Sequence, residues 1–108
     1  MLLATFGAIA QEKAAVHIPA DIEKLLKAHT CFACHKVDAK LVGPAYIEVA
    51  RKNYKEEQMV DLIYNPKPAN WPGYPPMTPM KHVPKADALK IAKWINSFNK
   101  KSKTAPKK

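Results

Sequence analysis

Apolar residues recur at helical spacing in four stretches of this chain and sustain strand alternation in none. Ile22, Leu25, Leu26 and His29 fall three and four residues apart, which predicts a short amphipathic helix ending near the two cysteines. Pro19 and Asp21 suit its start, with the Asp21 carboxylate at the cap and the proline just outside it. Gly43-Pro44 interrupts the chain, and a second helix is expected through Tyr46, Ile47, Val49 and Ala50. A third runs from about Lys55 to Tyr64, with Met59, Leu62 and Ile63 on one face and Asn65-Pro66 marking its end. The fourth, from about Lys85 to Asn99, has a broad apolar face of Ala88, Leu89, Ile91, Ala92, Trp94, Ile95 and Phe98.

Residues 66–84 separate the last two helices and read P-K-P-A-N-W-P-G-Y-P-P-M-T-P-M-K-H-V-P. Proline lacks the N–H donor and fixes φ, so this segment predicts a stiff, extended loop without helix or central strand. With no repeat visible, the expected class is all-α.

The length, 108 residues, fits one domain. The ten prolines and a lysine-rich end leave roughly eighty residues to pack, a size at which burial alone is marginal. A staple, a metal or a buried cofactor is therefore expected. Lys and Arg number 18 against 9 Asp and Glu, but five of the lysines lie in the last nine residues. Residues 100–108 read as a solvated, disordered basic tail, either merely solubilising or drawn to anionic partners or membrane surfaces. Residues 1–10 are uncharged and mostly apolar, too short to span a bilayer, and end in Ala8-Ile9-Ala10. They read as the apolar part of a signal peptide, possessing a cleavage site before Gln11 but no basic n-region, as in a truncated one. Export to the periplasm is the expectation, and 19–99 is the expected folded domain.

Cys31-Phe32-Ala33-Cys34-His35 is C-x-x-C-H, the attachment signature of c-type haem. Two thiols three positions apart can add to the two vinyl groups on one edge of a porphyrin. The next residue then lies under the iron, where an imidazole can bind. The only other readings of these cysteines, the sole two in the chain, are three. A Cys31–Cys34 disulfide would close a tiny loop and stabilise little. A thioredoxin-like pair should accompany a βαβ pattern. A zinc site would have to recruit His17, His29 or His82 without a second C-x-x-C or a spaced His pair. All three histidines are expected at the surface.

A haem iron that only carries electrons needs a second axial ligand, and a methionine thioether raises its potential. Met59 falls on an apolar helix face and is expected in the core. Met77 and Met80 both lie in the proline-rich loop, whose rigidity lowers the entropy cost of holding a sulfur in place. Spacing alone does not choose between them.

C-F-A-C-H at 31–35, V-G-P-A-Y at 42–46, W-P-G-Y-P-P-M at 71–77 and A-L-K-I-A-K-W-I at 88–95 occur in this order. Together they make the chain, over roughly Asp21 to Asn99, similar to the small class I cytochromes c of bacterial periplasms. The resemblance implies that fold: about four short helices wrapped around one covalently bound haem c, with the loop carrying the distal ligand. It implies Cys31 and Cys34 as thioether attachments, His35 as proximal ligand, and Pro44 as the residue whose carbonyl orients His35. It selects Met77 as distal ligand, with Met80 the alternative, and sets Trp71 near the haem propionates. Trp94 is expected in the core where the first and last helices meet, with Leu26 a neighbour. Two positions depart from the family pattern. Close relatives often carry asparagine three residues after the ligand, where this chain has Met80, and the usual glycine before the first cysteine is Thr30, so packing of the first helix is expected to differ.

The function implied is single-electron transfer through a His/Met haem, not enzymatic catalysis. Redox proteins with acidic docking surfaces are the expected donors and acceptors, steered by lysines such as Lys36, Lys40 and Lys81 around the exposed haem edge. The protein is expected to be a monomer that binds no nucleic acid and inserts stably into no membrane. Two alternatives remain: a subunit dedicated to one larger oxidoreductase, and a haem enzyme or gas sensor with a labile distal ligand.

Overall fold

The computed structural model describes residues 17–103, with side chains through Asn99. The expected signal peptide and its cleavage site before Gln11 lie outside the described residues, as do the last five residues of the basic tail. Four α-helices follow one another: α1 (Ala20–Ala28), α2 (Tyr46–Arg51), α3 (Glu56–Tyr64) and α4 (Lys85–Lys103). Single 3-10 turns occur at Cys31–Ala33 and Pro68–Asn70, and the described residues contain no strand. The class is all-α, as the hydrophobic pattern predicts.

Each helix forms where its apolar spacing places it, and the differences are at the ends. Pro19, not Asp21, is the N-cap of α1; its carbonyl accepts from the N–H groups of Ile22 and Glu23 at 3.0 and 2.9 Å. Asp21 lies inside the first turn, where a carboxylate favours the positive end of the helix dipole. At the start of α3, Gln58 Oε1 accepts the Lys55 N–H at 2.9 Å, satisfying a donor that the helix leaves open. Helix α4 continues four residues beyond Asn99, so the first lysines of the basic segment are helical rather than part of a disordered tail. Lysine is a good helix former, and positive charge suits a helix C-terminus. The proline-rich stretch is irregular except for its 3-10 turn, which begins at Pro68, where a missing N–H costs nothing.

Helix α4 is the hub, packing against α1, α2 and α3 in turn. Ala88, Ile91, Ala92, Trp94 and Ile95 are its buried face, meeting Ile22 and Leu26 of α1, Tyr46 and Ala50 of α2, and Met59 and Val60 of α3. Trp94 and Leu26 thus share one core, as expected. Tyrosine and tryptophan apart, no residue with a polar or charged side chain is buried among the described ones. Polar ties sit at the margins: Asn99 Nδ2 donates to the Ala50 carbonyl at 2.7 Å, and Asn96 Nδ2 to that of Tyr54 at 3.0 Å. His29 is not the surface residue expected. It is half-buried, and its Nε2–H donates to Asp87 Oδ2 at 3.1 Å, joining the end of α1 to the start of α4. His17 and His82 are exposed.

Candidate functional site

The turn after α1 carries the C-x-x-C-H motif, and its backbone is bent by Thr30, which adopts the left-handed conformation (φ 59). From there the 3-10 turn places Cys31 and Cys34 half-exposed, both as free thiols. The segment after His35 folds back on this turn. Gly43 N–H donates to the Cys34 carbonyl at 2.7 Å, and Tyr46 and Ile47 N–H to the carbonyls of Lys36 and Val37 at 3.0 Å each. The folding back brings Pro44 to the imidazole of His35.

His35 Nδ1–H donates to the Pro44 carbonyl at 2.8 Å. A carbonyl can only accept, so the proton of the neutral ring sits on Nδ1, and Nε2 keeps its lone pair for a ligand. Burial pushes the imidazole below its ordinary pKa, with the Pro44 carbonyl pulling the other way, which favours the neutral form that a metal needs. Two neighbours hold the ring. Tyr46 stacks on it with centroids 4.8 Å apart and planes inclined by 21°. Gly43 lies so close that a Cβ there would fall 2.7 Å from His35 Cε1.

Tyr46 is the site residue that sequence reasoning missed. The sequence shows it as an apolar position of α2 and the last residue of V-G-P-A-Y, with no role assigned, yet it is 5 % exposed and meets Trp94 edge-on at 5.4 Å as well as stacking on His35. Burial pushes its hydroxyl well above the ordinary tyrosine pKa, and the Cys31 thiol adds to the shift. Cys31 is itself pushed up by burial, against the pull of the Tyr46 hydroxyl.

Cys31, Cys34, His35, Pro44, Trp71, Met77 and Met80 all border one cleft of about 460 Å³. Its floor is apolar, formed by Met59, Leu62 and Ile63 of α3 and Ile91 and Ile95 of α4. Met59 is therefore both core and cleft wall. The loop is fastened on either side of Met77. Lys52 Nζ lies 4.6 Å from the centre of the Trp71 ring and donates to the Asn70 carbonyl at 3.2 Å, while Lys40 Nζ lies 4.6 Å over Tyr74. Beyond Met77, Met80 N–H donates to the Ile63 carbonyl at 3.0 Å and Tyr64 O–H to that of Val83 at 2.6 Å. Lysines 36, 40 and 81 are exposed; Lys81 donates to Asn65 Oδ1 at 3.1 Å. Lys52 and Lys67, which borders the cleft, were not singled out in the sequence.

The other readings of the cysteines find little support. The described residues hold no strand for a βαβ unit, and no group of three or more His, Cys, Asp and Glu side chains among them comes together as a metal site.

The family profile described as cytochrome c matches residues 19–99. Cytochrome c-551 of Stutzerimonas stutzeri is 40% identical over 101 residues, covering 90% of this chain and 92% of that protein. Cytochrome c-552 of Hydrogenobacter thermophilus is 38% identical over 78 residues, 70% of this chain and 80% of its own length. Among solved structures, wild-type cytochrome c552 of Nitrosomonas europaea superposes with a TM-score of 0.64 at 34% identity, over 69% of this chain and 96% of that one.

Proposed function

The chain belongs to the cytochrome c family, with the one covalently bound haem c and the electron transfer that membership brings, and from that premise we infer that this cleft is the haem site. The residues fit the group. Two free thiols adjoin an imidazole with one nitrogen already committed, the lining is apolar, and thioethers border the same cleft. Cys31 and Cys34 would form the thioethers to the macrocycle, His35 the proximal bond through Nε2, and Met77 the distal bond. The observation that carries the reading is the 2.8 Å hydrogen bond from His35 Nδ1–H to Pro44, made at the turn that presents both cysteines.

Bound haem supplies a one-electron couple, and the chain supplies binding, orientation and electrostatics. Pro44 fixes the imidazole tautomer, while Gly43 and Tyr46 hold the ring's position. Met59, Ile91 and Ile95 exclude water from the floor. Trp71, with Lys52 over its ring and the Asn70 amide donating to the Tyr54 hydroxyl at 3.2 Å, makes a polar corner suited to the propionates. No substrate bond is made or broken in this reading. Residues 19–99 are the haem domain, residues 1–10 an export signal, and the periplasm the place of action; the lysines from 100 onward form a basic C-terminal segment. No helix among the described residues is long and apolar enough to cross a membrane.

Docking belongs to the cleft's rim. Val42 and Met77 border the cleft, and with Leu41 they are the large exposed apolar side chains of the described chain. Lys36, Lys40 and Lys67 stand exposed in the same segments. That combination suits a redox partner with an acidic surface, and the rate of exchange with such a partner should fall as ionic strength rises. A salt-independent rate would remove the acidic-partner assignment.

The deciding experiment is a haem stain after denaturing electrophoresis, with a visible spectrum, on protein expressed in a periplasm. The wild-type chain should stain and show the far-red methionine–ferric iron band. A Cys31→Ala, Cys34→Ala variant should lose the stain, and covalent haem retained in that variant would refute the assignment.

A further inference from the structure

Two thioethers from one loop reach the same cleft, and the backbone holds them differently. Met77 is 39% exposed, and residues 75–79 around it enter no hydrogen bond among the described residues. Proline torsions, not hydrogen bonds, constrain the backbone there. Met80 is half-buried and packs against the core. Its N–H donates to the Ile63 carbonyl at 3.0 Å and its carbonyl accepts from Val83 N–H at 3.2 Å. Ile63 and Val83 themselves border the cleft, so Met80 is tied to the cleft wall on both sides of its Cα.

We propose that Met80 is a reserve axial ligand, whose sulfur binds the iron when the Met77 thioether leaves it. The proposal rests on the reading of Met77 as the distal ligand. In the exchange one Fe–S bond breaks and another forms. Both thioethers are neutral, so no proton is released and the oxidation state of the iron is unchanged. Methionine is unbranched, with three rotatable bonds and a polarisable sulfur, and so adapts to a second position without a change in backbone anchoring. A tethered ligand also competes at an effective concentration that external ligands rarely match. The consequence is functional: release of the less firmly held Met77 does not open the iron to small molecules, and the site remains that of an electron carrier.

The test uses ferric holoprotein with Met77→Leu, Met80→Leu and the double substitution, chosen because leucine nearly conserves volume. Met77→Leu should keep a methionine–iron far-red band, though shifted, and the double variant should lose it. Imidazole should bind Met77→Leu several-fold more weakly than the double variant. Loss of the band in Met77→Leu, with wild type and Met80→Leu retaining it, overturns the proposal and leaves Met77 as the ligand. Loss in Met80→Leu but not in Met77→Leu makes Met80 the primary ligand and overturns both readings. No band in wild type removes methionine ligation altogether, and the proposal with it. Should Met77→Leu fail to fold, imidazole titration of wild type against Met80→Leu decides. Several-fold tighter binding after Met80 is removed supports the reserve ligand, and equal affinity overturns it.

Discussion

Thr30 sits at φ 59 immediately before Cys31, where the family resemblance leads one to expect glycine. A β-branched side chain in the left-handed region suffers a clash that glycine does not, of about 1–2 kcal/mol, while glycine gives back about 0.5–1 kcal/mol in unfolded-state entropy. Thr30→Gly should therefore raise holoprotein stability by roughly 0.5–1 kcal/mol in chemical denaturation. Asn53, at φ 58, is the control: asparagine tolerates this conformation, and its Oδ1 accepts from Asn99 Nδ2 at 3.2 Å, so Asn53→Gly should bring no gain. The sequence leads one to expect that Thr30 alters how α1 packs; the structure adds a backbone constraint at the same residue. Gly43 is demanding for a different reason, close approach. An alanine Cβ 2.7 Å from His35 Cε1 would have to displace the ring and strain its bond to Pro44. Gly43→Ala should cost about 1–3 kcal/mol and shift the reduction potential, measured by denaturation and voltammetry on the same sample. An unchanged potential would show that the ring accommodates the methyl elsewhere.

At the scale of elements, all four helices were legible in the sequence because each has an apolar face, those of α1, α2 and α3 packing against that of α4. Leu25 and Leu26 illustrate how far this goes. Both fit the helical period, but only Leu26 is completely buried, against α4, while Leu25 is half-exposed. Leu26→Ala should destabilise the holoprotein by about 2–5 kcal/mol and Leu25→Ala by clearly less, as read from thermal unfolding. Equal effects would mean that α1 does not dock through Leu26. What periodicity could not supply was whatever depends on partners distant in sequence. The end of α4, the His29–Asp87 link over 58 positions and the stacking of Tyr46 on His35 follow from the fold, not from local pattern. The motif residues fared better: C-x-x-C-H and the Pro44 carbonyl lie within one short segment, so their mutual geometry is nearly local. Met77 and Met80 reach the cleft only because prolines and a few anchors carry a long loop back to it, and spacing could not rank them.

For the whole molecule, cofactor and core share their walls. Met59, Ile91 and Ile95 pack in the core and also floor the cleft of about 460 Å³, while Leu26 is the one large side chain of the described residues that is fully enclosed by protein. Helices α1, α2 and α3 contain only 9, 6 and 9 residues, below the length at which an isolated helix persists in water. Each depends on α4 for its docking. Without haem, the cleft side of that arrangement would face water, and the remaining burial must hold three short helices in place against their conformational entropy. Stripped of any haem held without thioether bonds, the Cys31→Ala, Cys34→Ala chain should therefore lose most far-UV helical signal and its cooperative melt, keeping a residue of helix that belongs to the 19-residue α4. The residual signal should diminish further when a helix-breaking Lys93→Pro is added on the exposed side of α4. A sharp thermal transition and full helix content in the haem-free chain would show instead that the protein core is sufficient, and that haem binds a fold already complete.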